Sequence, residues 1–381
     1  MYNQFKSVSL FTGIGGMQLG QPLLYCEIDK RCRRVLQARM ADGSLPSASI
    51  AEDVRALKDL PDECELLHAG FPCIDLSKAG HRKGITDGNH SNLFHEVARL
   101  AARNRPTYVF LENVGYIRCL PSWRLVMSTM HAIGYDLYWT TTTAEQAGAY
   151  HLRTRWFCLC KLVRAPSTVE LELPDGKMFT DGQLVNGNYC ETPKYHSYNC
   201  RETRTYSMHP KVVLLPLTNP ERPCKSKDLV TKVVYRNRFA TMRGTGGNSC
   251  ARGLTKRMSM DLATQLRFEA STPDDCRWLD HSRPNADWCD TFMGFPKGWS
   301  DYSKPLESTE HTFVEDRNVP RLIVSNIPNG HRLTMLGRTC VPHQCKMAMK
   351  HLWSLAHAIE IPACLLSINV PEPKRRRLVS E

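Results

Sequence analysis

The chain has 381 residues, enough for two or three domains at the usual ~150 residues each. Its 50 Lys and Arg against 38 Asp and Glu leave a formal net charge of +12, which points toward a polyanionic partner. At 42% hydrophobic and 23% charged residues it is not a disordered chain; no run reaches the ~18 apolar residues of a membrane span, and Met1–Lys6 opens no signal peptide, so a soluble intracellular protein is expected.

From Lys6 to Val163, β-rich runs alternate with helical stretches, the pattern of a parallel α/β sheet. Ser7–Phe11 reads as a strand stopped by Gly13, Gly15 and Gly16, and Pro22–Ile28 as a second, ending near Glu27 and Asp29. Glu65–Gly70 is a third. Asn92–Arg103 places Leu93, Val97, Leu100 and Ala101 at helical spacing and ends before Pro106. Thr107–Leu111 is a continuous apolar run, as a strand buried on both faces should be. Tyr135–Thr143 and Trp156–Leu162 supply further strands. Beyond Arg164 the period is lost, and residues 164–327 read as a separate insert. Order returns after Asn329: Pro342 suits a first helical turn, and Cys345, Ala348, Leu352, Leu355 and Ile359 form one apolar stripe. The 16 cysteines include no C-x-x-C pair and no zinc-finger spacing, so buried reduced thiols and no metal are expected.

Four constellations carry chemistry. Ser9–Gly16 is a strand entering a glycine-rich turn before an expected helix, where a backbone can pass close under a nucleotide-like ligand. Glu27, ending the second strand, can accept from ribose hydroxyls, and Asp53 from an adenine amino group. Gly70-Phe71-Pro72-Cys73 follows a strand directly and presents Cys73 as a nucleophile would be presented. Glu112-Asn113-Val114 closes the Thr107–Leu111 strand; a carboxylate there is costly unless paired, and burial that raises its pKa makes it a proton donor near neutrality. Arg153 and Arg155 stand two apart on an extended segment, so they are expected on one face, around a phosphate or a carbonyl oxygen.

In motif order and approximate spacing, this set resembles the DNA cytosine-5 methyltransferases. The matching segments are Phe11-Thr-Gly-Ile-Gly-Gly16, Gly70-Phe-Pro-Cys73 with Ser77-Lys-Ala-Gly80, Ser91–Glu96, Glu112-Asn-Val114 and the Arg153/Arg155 pair. Met293–Trp299 is similar to a block that closes the recognition region in bacterial and phage members. Leu336-Gly337 with Val341-Pro342 resembles the C-terminal block that folds back onto the cofactor domain. The likeness covers roughly 1–162 and 285–355.

The resemblance implies a Rossmann-like S-adenosylmethionine-dependent methyltransferase domain with an inserted target-recognition domain. Its expected limits are 1–163 plus 328–365 for catalysis, 164–327 for recognition, and 366–381 for a basic tail. It further implies methyl transfer to C5 of a flipped-out cytosine in double-stranded DNA, by a monomeric enzyme acting through a covalent Cys73–C6 adduct. Glu112 would serve cytosine N3, Arg155 the O2, and Arg153 a phosphate or the Glu112 carboxylate. Phe11, Gly13, Ile14, Gly16, Glu27, Asp53, Val54, Pro72 and Arg338 would hold the cofactor. The sequence departs from the family pattern at Ser9, often acidic; Ile74, often Gln; His151, usually Gln; and Arg338, usually Asn.

A nicotinamide oxidoreductase would share the glycine turn but gives Pro-Cys and Glu-Asn-Val no task. A catalytically weak or silent DNA-binding homologue and a transfer-RNA cytosine-5 methyltransferase are the remaining alternatives. The Cys-Phe-Thr characteristic of the RNA subfamily is not found in 164–327, which favours DNA. Residues 201–267 hold 14 Lys/Arg and 4 Asp/Glu, whereas 268–316 hold 4 and 11, so the basic excess sits early in the insert, where it can neutralise phosphates. The Lys374–Arg377 run reads as a nuclear address in a eukaryotic or viral setting and as a solvated tail in a cytoplasmic one.

Overall fold

The structure is a computed structural model that describes residues 4–72, 93–119, 121–163, 165, 182–185, 188–190, 283–309, 313, 319, 322–323 and 330–357. Cys73 with its loop, Ser91, most of the expected recognition insert and the basic tail lie outside the described residues.

Chain order runs β1 (Lys6–Leu10), β2 (Gln21–Cys26), α1 (Lys30–Ala41), β3 (Ser49–Ala51), β4 (Leu66–Ala69), α2 (Leu93–Asn104), β5 (Tyr108–Val114), α3 (Pro121–Ala132), β6 (Tyr135–Thr142) and β7 (Arg155–Leu162). Short strands β8 (Gly182–Val185), β9 (Asn188–Cys190) and β10 (Arg283–Pro284) follow, then α4 (Ala286–Phe292), β11 (Leu322–Ile323), α5 (Gly330–Arg338) and α6 (Pro342–Ala356). The main sheet has the order β3-β2-β1-β4-β5-β7-β6-β8-β9. β1 through β5 are parallel, but β7 is antiparallel to both β5 and β6, and β8 is antiparallel to β6. The all-parallel expectation is therefore corrected: the fold is α/β with a mixed sheet. The link 143–154 joins β6 to β7 as neighbours and holds only the turn Glu145–Ala147, no crossover helix, so the chain returns antiparallel.

A second correction concerns the glycine-rich turn. No helix follows it; residues 11–20 run through turns and bends straight into β2. The first helix comes only after β2, where Asp29 caps α1 by accepting from the Arg31 N–H at 2.9 Å.

Apolar faces explain the layers. Val8, Leu10, Leu67, Ala69, Val109 and Leu111 meet α2 and α3 on one side of the sheet. On the other, Leu66, Phe110, Phe157 and Leu159 meet Cys345, Ala348, Met349 and Leu352 of α6; Leu355 of the expected stripe packs partly buried against them, and Ile359 lies outside the described residues. A third cluster joins Ile14, Val35 and Leu36 to Trp288, Phe292, Phe295 and Trp299, so residues 286–299 pack against the glycine turn and α1. Arg39 fastens that contact. Fully buried, it donates to the carbonyls of Gly298 (3.2 Å), Asp301 (3.2 Å) and Lys304 (2.8 Å) and pairs with Asp42 at 3.1 Å. Cys26, Cys32, Cys64, Cys158, Cys160, Cys289, Cys340 and Cys345 are free and buried, as small hydrophobes should be. Among the described residues no helix is long and apolar enough to cross a membrane.

Candidate active site

The carboxyl ends of β1, β2, β3 and β4 bring the first two constellations to one edge of the sheet. Phe11 leaves β1 with a left-handed backbone, φ 55°, and Gly13 continues it at φ 58°. Such a path strains a phenylalanine and suits a glycine. Thr12 fixes the turn: its hydroxyl donates to the Ser9 carbonyl and to Ser9 Oγ, both at 3.0 Å. Ser9, an expected departure from the family pattern, is thereby absorbed into the turn. The Gly13 N–H donates to Glu27 Oε2 at 2.6 Å and the Asp29 N–H to Oε1 at 2.8 Å. Burial raises the Glu27 pKa, and these two N–H donors oppose the rise. Each carboxylate oxygen keeps a further acceptor site for a ligand hydroxyl.

A Cβ on Gly13 would meet nothing nearer than Thr339 Oγ1 at 4.0 Å, so the turn presents open backbone. Ile28, 64% exposed between Glu27 and Asp29, offers an apolar surface at the same edge. Sequence reading missed Ile28; an apolar residue between two acids after a strand was the available signal. Asp53 follows β3 and caps a short turn, accepting from the Arg55 N–H at 3.0 Å and pairing with the Arg55 guanidinium at 2.7 Å. That pairing holds its carboxyl below the usual range. It is partly exposed and can exchange partners.

Other expected cofactor residues divide differently. Ile14 is fully buried, and its carbonyl accepts from Trp299 Nε1 at 2.7 Å, so its side chain serves the core. Val54 is likewise buried among Leu10, Leu60 and Phe94. Gly16 lies under the α5–α6 turn. Pro72 is half-buried at the entry to the loop that carries Cys73, and Arg338 is exposed at the end of α5, close enough to Asp29 to lower its pKa slightly.

Glu112 lies inside β5, opposite Phe157 of β7, two residues before the strand ends. Its Oε1 pairs with Arg155 Nε at 2.8 Å. Its Oε2 approaches Gly70, where a Cβ would stand 3.2 Å away; Gly70 itself precedes Cys73 by three residues. Burial raises its pKa and the two arginines oppose the rise, Arg155 more than Arg153. Asn113 reaches the same loop, its Nδ2 donating to the Phe71 carbonyl at 3.1 Å. The Glu-Asn pair therefore both poises a carboxyl group and anchors the start of the loop.

The two arginines have different hydrogen-bond partners: Arg155 pairs with Glu112, whereas Arg153 is held by the α5–α6 turn, with both charges acting on the Glu112 carboxyl group. Strand β7 begins only at Arg155, so the two-residue alternation does not extend back to Arg153. The Arg153 side chain is buried, and Nη2 donates to the carbonyls of Gly337 (2.9 Å) and Thr339 (2.5 Å). Those bonds direct its guanidinium to the α5–α6 turn. His151 is also buried, stacked on Phe292 at 4.4 Å, and burial lowers its pKa to about 3. Among the described residues there is no group of three or more His, Cys, Asp or Glu suited to a metal.

A family model described as C-5 cytosine-specific DNA methylase matches residues 5–301. The Type II methyltransferase M.CviJI of Paramecium bursaria Chlorella virus IL3A is 35% identical over 162 residues, 41% of this chain and 42% of that protein. Type II methyltransferase M2.BsuMI of Bacillus subtilis (strain 168) is 32% identical over 191 residues, 47% of each chain. The matches thus span less than half the length of these relatives. Among solved structures, the S. pombe Dnmt2 methyltransferase aligns with a TM-score of 0.52 at 15% identity, covering 93% of this chain and 99% of that one, a likeness of fold.

Proposed function

The chain belongs to the C-5 cytosine-specific DNA methylase family, and from that premise we propose that it transfers a methyl group to C5 of a flipped-out cytosine in double-stranded DNA. The observation that carries this reading is the Glu112–Arg155 pair at 2.8 Å beside Gly70, on the same sheet edge as the Gly13–Glu27 turn. A poised carboxyl group, a fixed cation and a ligand cradle are the parts this reaction needs.

Cytosine C5 is a poor nucleophile, so the ring must first be activated. The Cys73 thiolate adds to C6, and Glu112 donates a proton or hydrogen bond to N3 as charge develops there. Arg155, held by Glu112, reaches the O2. S-adenosylmethionine, when bound, supplies an electrophilic methyl group. The residues that would hold it are Phe11, Gly13 and Gly16 through backbone approach, Glu27 through the ribose hydroxyls, Asp53 through the adenine amino group, and Arg338 at the rim. Loss of the C5 proton to a base then lets the Cys73–C6 bond break and returns the thiolate. Arg153 acts as a positioning residue in this scheme. The recognition unit is proposed within 164–327; its segment 286–299 packs against the glycine-rich turn and α1 and serves that side too.

Tritiated methyl transfer to duplex DNA, with transfer RNA as the competing acceptor, tests the reading. DNA labelling by the natural chain is expected, and its loss in Cys73→Ser with DNA binding retained. Labelling of RNA alone, or full activity in Cys73→Ser, would overturn it.

A further inference from the structure

We propose that Gln344 is a positioning residue that locks the Arg153–Arg155 segment between the methyl-donor cradle and the cytosine pocket. Gln344 lies in the first turn of α6, which is otherwise a packing helix, and it is fully buried. Its Nε2 donates to the Thr142 carbonyl at 3.0 Å, to Thr142 Oγ1 at 3.3 Å and to the Arg153 carbonyl at 2.9 Å. A side chain that only filled space there would be apolar, because a buried amide is costly without partners. Gln344 instead spends its donors on the two ends of the link between β6 and β7.

From that point the contacts run in two directions. Toward the cofactor side, Arg153 donates to Gly337 and Thr339, and Thr339 rests against Gly16. Toward the base side, the Gly115 N–H donates to the Thr154 carbonyl at 3.3 Å, and Arg155 pairs with Glu112. The Arg153 carbonyl also accepts from the Ala144 N–H at 3.1 Å, so the link is closed on itself. Gln344 thus hydrogen-bonds this link at both ends. Removing its donors frees the segment to shift, and Arg155 and Glu112 shift with it. Misplacement of reacting groups by about 1 Å can cost about 10²-fold in rate.

The inference rests on the role proposed above for Arg155 and Glu112, so its test has one arm that needs no activity. Gln344→Met keeps the side-chain length and removes the donors. By hydrogen exchange on the full chain, faster exchange is expected at the amides of Ala144 and Gly115, with the α6 amides protected as before. Equal loss of protection throughout α6, or no change at Ala144 and Gly115, would overturn the lock. In single-turnover methylation with saturating DNA and S-adenosylmethionine, a fall of at least about 10-fold in rate is expected, with binding of S-adenosylhomocysteine changed less than about 3-fold. An unchanged rate per folded molecule would sink the positioning role while leaving the methyltransferase reading intact. Absence of transfer by the natural chain would instead count against that reading, and the exchange arm would still decide whether Gln344 holds the link.

Discussion

Gly16 and Thr339 meet at backbone range: a Cβ on Gly16 would stand 2.4 Å from Thr339 Oγ1 and 2.6 Å from the Cys340 carbonyl oxygen. The first glycine-rich turn and the last turn of the catalytic core are thereby pressed together. A hydroxyl can rotate aside, but the Cys340 carbonyl is main chain and cannot.

Gly16→Ala is therefore expected to displace the 339–340 turn at a cost of ~1–3 kcal/mol. Urea denaturation should show a lower midpoint with an unchanged slope. Calorimetric titration should show weaker binding of S-adenosylhomocysteine, because the displaced turn borders the cradle.

Glu112→Gln preserves shape and removes the proton. The raised pKa of Glu112 keeps more of it protonated near neutrality than an exposed glutamate, and that fraction falls as pH rises through the raised value. The methylation rate of the natural chain should decline on the alkaline side of that pKa. In Glu112→Gln the rate should fall by about 10²-fold or more and lose that limb. Equal pH–rate profiles for the two chains would remove Glu112 from proton transfer.

Two buried histidines make the fold acid-sensitive. Burial lowers the pKa of His68 and of His151 to about 3, against 6.5 for the free side chain. Between those values the unfolded chain binds protons that the folded chain refuses, so stability is lost as pH falls from about 6.5 toward 3. Each histidine contributes a slope approaching ~1.4 kcal/mol per pH unit in that window. Chemical denaturation at stepped pH should show it, and His151→Gln should lessen the slope by about one histidine's share.

Arg39→Met should be among the most destabilising single changes in the described fold. It leaves the Gly298, Asp301 and Lys304 carbonyls without their guanidinium donor and Asp42 without its cationic partner, with the Ser44 and Leu306 N–H groups still donating to it. A loss of ~3–5 kcal/mol is expected, read as a lower midpoint in urea. The change should also loosen residues 298–304, which limited proteolysis can detect.

Strands β1, β2, β4, β5, β6 and β7 and helices α2 and α6 were legible because their apolar runs and stripes are uninterrupted. Helix α1 was not, since Lys30, Arg31, Arg33, Arg34 and Arg39 crowd a short stripe in which Arg39 is itself a buried member. Helix α3 and the three-residue β3 also passed unnoticed, the latter being too short for a period to form.

What the sequence determined alone was the chemistry: residue types that react or bind must be present as themselves, in order, beside the strand ends that present them. Glu27, Glu112 and Arg155 were singled out that way as candidates. Direction and partnership were decided by the tertiary structure. Whether β7 runs against β5, whether Arg153 meets Glu112 or the Thr339 carbonyl, and whether Gln344 packs or holds all depend on contacts between residues far apart in the chain. Local spacing encodes none of these, because a hydrogen bond is set by where two backbones come to lie, and only the packed sheet and its covering helices fix that.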